Sequence, residues 1–408
     1  MDNAAIIAGH SLCLPFARSS HQLIAHLRQG KQVETCGWFA SDEQAIKGGF
    51  KSNRHFARLP PGAESLCERL SRLVDDAVEQ ACLDKRCLSG EKVRVYLAGV
   101  GPRVDAKAYK SFYDCNDIED IKLTTSVAQL QIANMSQDGL AYQLAQKYRL
   151  KYLPPNLNCA SNASLAAVHI GCQAIEKGEI DLVLVISCSE IKTQDFWFLE
   201  NQQMLNGGVV QPFGAQSKSV LVAEGLCIML LESRRHRVAR QMAAGVRLRS
   251  VYSQIGANRN HDAAYLTASL HRLMKKALLH AGVALNELCA IIPHGNGAAA
   301  SDKAEAQALA LLLNDVPVPI LAYKGQTGYT ATGSGIVDLI IAYYALTRRE
   351  LIPARKNDAI IKELAPYLLV GAEVVKHRQQ HLLKTGVSVD GALIAVVASD
   401  ERQEASNE

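Results

Sequence analysis

The chain has 408 residues, of which 48% are hydrophobic and 21% charged, a balance that excludes a disordered protein. The formal net charge is only +4 and no helical stretch carries a sustained basic stripe with aromatic residues, so a nucleic-acid-binding protein is not indicated. The eleven cysteines are odd in number and have no repeated spacing, which favours free thiols in a reducing compartment.

The N-terminal segment, MDNAAIIAGHSLCLP, is predicted to begin with a strand. It has an acidic residue at position 2, a short apolar run and no cationic start, a pattern that does not fit a signal peptide. No apolar run in the chain reaches the ~18 residues that suggest a membrane span. We therefore expect a cytoplasmic protein without a transmembrane segment.

Short β-branched runs then alternate with longer helical periods. The predicted strands are residues 4–12, 93–100, 181–189 and 227–233. The predicted helices are residues 63–83, 139–150, 164–178 and 266–283. Strands and helices in alternation indicate an α/β protein with layered sheets.

A second series of apolar runs begins after about residue 240. Its members are residues 245–254, 289–295, 319–325, a predicted helix at 336–351, and 391–401. Both series end with a hydrophobic strand followed by acidic residues: DLVLVISCSE in the first and GALIAVVASDE in the second. This similarity favours two related halves. We place the boundary between residues 1–240 and 241–408, within or next to a basic stretch, ESRRHRVARQ, predicted to be a solvated connection.

Cys159 follows the predicted strand YLPPNLN and is expected at the first turn of the next helix. The positive end of a helix dipole and its unpaired N–H groups lower the pKa of a thiol, which favours the nucleophilic thiolate. A free cysteine is also a common small core residue, as expected for Cys172 and Cys188. Taken alone, the position of Cys159 leaves a nucleophile and a core thiol equally open.

Two glycine-containing loops follow in the C-terminal half. His294 ends an apolar strand in IIPHGNGAAASDKAEAQAL, where strand-end loops of α/β folds gather functional groups, and Asp302 and Glu305 lie on the next helix. The second loop, KGQTGYTATGSG, lacks the G-x-x-x-x-G-K-[ST] spacing of a phosphate-binding loop.

A papain-like protease is disfavoured, because enzymes of that family carry their catalytic cysteine near the mature N-terminus and Cys159 does not lie there. No metal site or nicotinamide or flavin fingerprint is indicated.

Together these segments resemble the β-ketoacyl synthase family, the thiolase-fold condensing enzymes of fatty-acid and polyketide synthesis. NCASNASLAAVHIGCQAIEKGEIDLVLV is similar to the nucleophile-cysteine block, HGNGAAASDKAEAQAL to the HGTGT-type histidine block, and KGQTGYTATGSG to the Lys-Ser-Asn-x-Gly-His-Thr block. NM at 134–135, QPFGA at 211–215 and AEG at 223–225 also fall at family positions. The resemblance implies a thiolase-like α/β fold with two pseudo-symmetric halves, stacked as alternating helix and sheet layers, and a dimer.

The resemblance also implies roles for individual residues. Cys159 would be the acyl-accepting nucleophile and His294 the first active-site histidine. Lys324 would be the family lysine, and Glu305 the acid that organises it. Such enzymes need no separate cofactor, because their substrates are carried on the phosphopantetheine of an acyl carrier protein.

The acyl carrier protein is therefore an expected partner. Three basic residues of the connection between the halves, Arg234, Arg235 and Arg237, are the predicted docking residues. The alternative is that they lie on an exposed loop without a partner.

The sequence departs from the family at the residues that would carry the chemistry. Tyr329 stands in place of the second histidine, and a phenol with a pKa near ~10 cannot move protons near neutrality as imidazole does. Val387 replaces the gating phenylalanine and Ser388 a glycine, which restricts the loop that supplies an oxyanion N–H. Asn296 and Ala298 stand where the family keeps threonines. Decarboxylation by this chain alone is predicted to be weak or absent.

Two hypotheses follow. The first is a chain-length-factor-like subunit that forms a heterodimer with an active β-ketoacyl synthase and shapes its acyl tunnel. The second is an active synthase or acyltransferase, a homodimer in which Cys159, His294 and Tyr329 perform modified condensation chemistry. A coenzyme-A-dependent thiolase is disfavoured, because thiolases use a second cysteine near the C-terminus and the last cysteine here is Cys289.

Overall fold

The computed structural model describes residues 3–99, 101–106, 136–256 and 262–402. The NM pair at 134–135 lies outside the described residues. Within these ranges, no helix combines the length and apolar character needed to cross a lipid bilayer.

The strands of the described residues belong to one nine-stranded mixed sheet and two small two-stranded ladders. The order in the large sheet is β5-β4-β6-β7-β1-β8-β13-β12-β9. The strands are β1 (Ala5–Cys13), β2 (Cys36–Gly37), β3 (His55–Phe56), β4 (Val93–Ala98), β5 (Asn156–Leu157), β6 (Leu182–Ser189), β7 (Gly225–Ser233), β8 (Val246–Ile255), β9 (Leu288–Ile292), β10 (Glu350–Leu351), β11 (Val375–Lys376), β12 (His381–Val387) and β13 (Ala392–Asp400).

Helices separate most of these strands along the chain. They are α1 (Ser20–Arg28), α2 (Asp42–Lys47), α3 (Leu66–Gln80), α4 (Gln137–Tyr148), α5 (Ala163–Glu176), α6 (Thr193–Asn201), α7 (Arg234–Ala239), α8 (Ala263–Ala281), α9 (Ala299–Leu313), α10 (Lys324–Thr327) and α11 (Ser334–Arg348). Local signals set their ends: Ser65 and Glu68 form a capping box before α3, and Gly282 ends α8 in the left-handed conformation.

The strand pairing repeats in the two halves. In the first half β4 and β6 are parallel, and β6–β7 and β7–β1 are antiparallel. In the second half β9 and β12 are parallel, and β12–β13 and β13–β8 are antiparallel. The halves join through the antiparallel pair β1–β8. The predicted boundary at 240/241 falls between α7 and β8, and its exact position stays a prediction.

The sheet is buried on both faces, which explains why its strands are almost continuously hydrophobic. In β13, Ile394 and Val396 pack into a central core with α5 and α11, whereas Leu393 and Ala395 pack into an outer core with α8 and α9. β6 divides its side chains in the same way, with its outer residues against α3 and α4. Helix and sheet layers therefore alternate, and the predicted thiolase-like fold is confirmed.

Two local expectations are corrected by the structure. The predicted strand YLPPNLN contributes only Asn156–Leu157, as β5. The run at 319–325 forms no ladder, because Ile320 makes isolated bridges and α10 begins at Lys324. The basic stretch at 232–241 contains a short helix, α7, which has no buried residue and connects the two halves at the surface, as expected.

Candidate active site

Cys159 lies on a tight turn between β5 and α5. The first helical residue is Ala163, so the expectation that Cys159 occupies the first turn of the helix is wrong. Ala160, which follows the cysteine, has a φ of 37°, in the left-handed region that a Cβ disfavours. Asn162 stands at the N-cap position, but its amide Nδ2 donates to the carbonyl oxygen of Ala392 at 2.8 Å instead of capping the helix.

The β12–β13 turn of the second half packs directly on this cysteine turn. The Ser161 hydroxyl donates to the carbonyl oxygen of Val387 at 2.9 Å, and the Ser388 hydroxyl donates to the carbonyl oxygen of Cys159 at 3.3 Å. The structure therefore brings the two predicted gating residues, Val387 and Ser388, against the cysteine from the other half of the chain.

The same turn is also closed by its own backbone. The Ser388 N–H donates to the Ala392 carbonyl at 3.0 Å, and the Gly391 N–H donates to the Ser388 carbonyl at 3.0 Å. The N–H of Ser388 is thus already used inside the turn. That replacing glycines restricts the loop stays a prediction.

The electrostatic surroundings of Cys159 are opposite to those expected from the sequence. Burial raises the pKa of the thiol to about 11, and the neighbouring Asp390 carboxylate adds to the increase. The predicted lowering of this pKa by a helix dipole is therefore wrong, because the thiol is half-buried and a carboxylate lies beside it. At neutral pH the residue is a thiol.

His294 lies directly after β9, on a loop that Glu305 fixes. The N–H groups of His294 and Gly295 donate to Glu305 Oε1 and Oε2 at 2.9 and 2.8 Å, and the Thr385 hydroxyl donates to Oε1 at 2.7 Å. Glu305 is only 1% exposed. Its carboxylate shapes the histidine loop from the next helix, α9.

Asp302, one turn earlier on α9, holds the following part of the same loop. Its carboxylate accepts the N–H groups of Asn296, Gly297 and Phe213 at 3.0, 3.0 and 2.8 Å. Burial raises the pKa of Asp302 to about 7, although these three hydrogen bonds oppose the increase. Phe213 belongs to the QPFGA segment, so this segment helps to fix the histidine loop.

Lys324 forms its ion pair with Asp338, not with Glu305. The Lys324 Nζ lies 2.8 Å from Asp338 Oδ2, and a second buried lysine, Lys384, lies at the same distance from the same oxygen. Both ammonium groups also approach the carbonyl oxygen of Pro293, at 3.5 and 3.4 Å. The expectation that Glu305 organises Lys324 is therefore wrong, because Glu305 is occupied by the histidine loop.

Burial and two neighbouring lysines keep His294 uncharged. The imidazole is 4% exposed, and burial, followed by the positive charges of Lys324 and Lys384, lowers the pKa of His294 well below its usual value. His294 is therefore a neutral imidazole. A neutral ring can hydrogen-bond through both nitrogens, but only one of them carries a proton.

Tyr329 lies opposite His294. Its backbone is held by the segment that includes AEG, since the Tyr329 N–H donates to the Leu221 carbonyl at 2.7 Å and the Ala223 N–H donates to the Tyr329 carbonyl at 3.0 Å. The two rings meet edge to face with centroids 5.7 Å apart. Burial raises the pKa of Tyr329 to about 12, so the phenol stays protonated.

His294 and Tyr329 line a common cavity of about 150 Å³. Asn296, the two predicted gating residues Val387 and Ser388, and Ser161 of the cysteine turn also line it. A cavity of this size holds a guest of about six heavy atoms, such as benzene. The predicted residues Cys159, Lys324 and Glu305 are not part of its lining.

The predicted docking arginines lie elsewhere. Arg237 Nη1 is 3.0 Å from the buried Glu232, and Arg235 pairs with Asp181 at 2.8 Å, while Arg234 is exposed. They lie on α7, which follows the C-terminal end of β7. The docking prediction is wrong for Arg237, because its guanidinium is turned into the fold.

Sequence reasoning missed three charged residues of the site. Asp338 and Lys384 interrupt the apolar runs IVDLII and LLKTGV, and a lone charge in such a run signals a buried ion pair. Asp390 carries no such signal, because it stands in an ordinary turn sequence and meets Cys159 only through the fold.

The sequence and the fold are both similar to those of known proteins. The β-ketoacyl synthase N-terminal domain matches residues 5–237, and the β-ketoacyl synthase C-terminal domain matches residues 245–357. Erythronolide synthase EryA2 of Saccharopolyspora erythraea is 26% identical over 391 residues, which cover 90% of this chain and 10% of that protein. The chain spans a tenth or less of the length of the first curated relatives that it matches, at 8%, 7% and 10%.

Two solved structures share the fold over 98% of this chain. One is AntDE:AntF, a type II polyketide synthase acyl carrier protein in complex with its ketosynthase, with a TM-score of 0.82, 17% identity and 100% of the matched chain covered. The other is the ishigamide ketosynthase/chain length factor, with a TM-score of 0.81, 18% identity and 99% of the matched chain covered. With both domain models matched in order and the fold shared throughout, the chain belongs to the β-ketoacyl synthase family.

Proposed function

We propose that this chain is a chain-length-factor-like subunit, which pairs with an active β-ketoacyl synthase, shapes the acyl site of that partner and has little or no condensing activity of its own. The observation that carries the proposal is the buried phenol of Tyr329 at the position where the resemblance puts the second active-site histidine. It faces His294 across the site.

The chemistry of condensation explains why this exchange matters. A malonyl thioester that loses CO2 leaves an enolate, and its oxygen must be stabilised by hydrogen-bond donors already in place. With a pKa raised to about 12, Tyr329 is a poor proton source near neutrality. Loss of one oxyanion donor costs on the order of 10²–10³ in rate.

The state of Cys159 supports the same proposal. Acyl transfer to cysteine requires the thiolate. With a pKa near 11, only about one thiol in 10⁴ is ionised at neutral pH. The Asp390 carboxylate beside it also repels the negative charge of a malonyl group.

We propose an acyl carrier protein and a second ketosynthase subunit as partners. The solved ketosynthase/chain length factor and the ketosynthase–carrier complex, which share this fold, are the precedents for such assemblies. Of the predicted docking residues, Arg234 remains a candidate contact for the acidic carrier, because its side chain is exposed. The free thiols of the described cysteines support a cytoplasmic location.

An active synthase or acyltransferase, working as a homodimer, is the second candidate. It is favoured by the retention of Cys159 and His294 and by the buried Lys324–Asp338 pair, whose lysine approaches the carbonyl oxygen of Pro293 beside His294. Under that hypothesis Cys159 accepts the acyl group, and Tyr329 supplies a single hydrogen bond.

The purified chain should be tested alone with an acyl carrier and a malonyl carrier. We expect no acyl mass on Cys159 by intact-mass measurement and CO2 release no faster than from a His294→Ala control. CO2 release at an ordinary ketosynthase rate that disappears in His294→Ala would overturn the proposal. Co-expression with a ketosynthase of the same organism should give a heterodimer whose product length changes when cavity residues of this chain are replaced, and Cys159→Ala should not change its rate.

A further inference from the structure

Asn296 contacts the imidazole of His294 through its side-chain amide. Its Oδ1 accepts the N–H of Ala298 at 3.0 Å, and its Nδ2 lies 3.2 Å from Nε2 of His294. A backbone N–H can only donate, so the oxygen of the amide is fixed toward Ala298 and the NH2 group toward His294.

This orientation determines the tautomer of His294. The NH2 group of Asn296 can only donate, so Nε2 of His294 must accept and cannot carry a proton. Because His294 is neutral, its single proton is then on Nδ1. Nε2 is occupied by Asn296 and cannot donate to a substrate oxygen.

We propose that Asn296 has a closing role in this site: it is the positioning residue that holds His294 as the Nδ1–H tautomer, so that Nε2 has no proton to donate to an enolate oxygen. The inference deepens the proposed function and rests on it for its biological meaning, whereas the tautomer itself follows from the hydrogen bonds. A threonine, which the resemblance implies at this position, has a hydroxyl that can donate or accept, so it does not force one tautomer on His294.

The tautomer can be measured directly. In protein labelled with ¹⁵N-histidine, long-range ¹H–¹⁵N correlation separates a protonated ring nitrogen from a bare one, and His294→Asn identifies the signals of His294. We expect a bare Nε2 in the wild type and a shift toward the Nε2–H tautomer in Asn296→Ala. Asn206→Ala, which changes an exposed asparagine, should leave the His294 signals unchanged. A protonated Nε2 in the wild type would overturn the inference, as would identical spectra of Asn296→Ala and the wild type.

A second measurement addresses catalysis. The double variant Asn296→Thr/Tyr329→His should release CO2 from a malonyl carrier at least about tenfold faster than Tyr329→His alone, because it frees Nε2 of His294 to donate. Equal rates of the two variants, with folding confirmed by circular dichroism, would overturn the closing role. If the wild type shows a bare Nε2 and still decarboxylates at an ordinary ketosynthase rate, both the closing role and the proposed partner function fail, while the tautomer assignment stands.

Discussion

Replacing Lys384 with methionine should make the stability of the chain less dependent on pH above neutrality. Lys384 is 1% exposed and shares one carboxylate, Asp338, with Lys324. Burial lowers the pKa of Lys384 from its ordinary 10.5 to about 8, although the attraction of Asp338 opposes the change. Since one pKa unit corresponds to about 1.4 kcal/mol, holding this charge in the folded state costs about 3 kcal/mol at neutral pH.

The sign follows from the protons bound in each state. Between the two pKa values the unfolded chain keeps the Lys384 proton and the folded chain loses it, so the free energy of unfolding rises with pH. From about pH 7 to about pH 9.5 this rise amounts to about 2 kcal/mol. Methionine has no charge to titrate and fills a similar volume, and Asp338 keeps its pairing with Lys324.

Urea denaturation of wild type and variant at both pH values, followed by circular dichroism, measures the effect. The difference between the two proteins isolates Lys384, because the other titrating groups are common to both. Lys51→Met, which removes an exposed lysine, should keep the pH dependence of the wild type. The reasoning is refuted if Lys384→Met shows the same rise in stability as the wild type.

Three further predictions concern the other charges of the site. Asp390→Asn should lower the pKa of Cys159 and therefore speed its alkylation by iodoacetamide at about pH 8, as measured by peptide mass spectrometry. An unchanged alkylation rate would show that the carboxylate does not act on the thiol. Asp338→Asn should lower the free energy of unfolding by about 3 kcal/mol or more, because two buried lysines lose their counter-charge, and adding Lys384→Met should restore part of it. A double variant no more stable than the single one would contradict this explanation. Glu305→Gln should cost about 2 kcal/mol in urea denaturation, since an amide cannot accept all three donors of the carboxylate; wild-type stability would mean that the histidine loop is held by other contacts.

The central strands were predictable from the sequence because every residue in them is buried. β6 and β13 are buried on both faces, so their sequences are unbroken hydrophobic runs. β12 was not predicted, because Lys384 interrupts its apolar pattern and only the fold supplies the carboxylate that makes the lysine acceptable there. A lone charge signals that a partner exists, but not which residue it is.

The same limit applies to the candidate site. Its motifs indicated Cys159 and His294, and the structure groups their loops around one cavity. The surroundings that set the chemistry come from distant parts of the chain: the carboxylate beside Cys159 is Asp390, and the partner of Lys324 is Asp338. Spacing along the sequence therefore identified the motifs, and the pKa of the thiol and the pairing of the lysine depended on the tertiary fold.

The β12–β13 turn is fastened to the cysteine turn by hydrogen bonds from Ser161, Asn162 and Ser388, so these polar groups join one half of the molecule to the other. Changing any of them would loosen the body of the protein, whether or not a reaction takes place there. A descendant that had given up condensation would still need them in order to fold. A ketosynthase-like site in such a protein therefore shows that its residues are needed for the fold. Catalytic activity has to be established by a separate measurement.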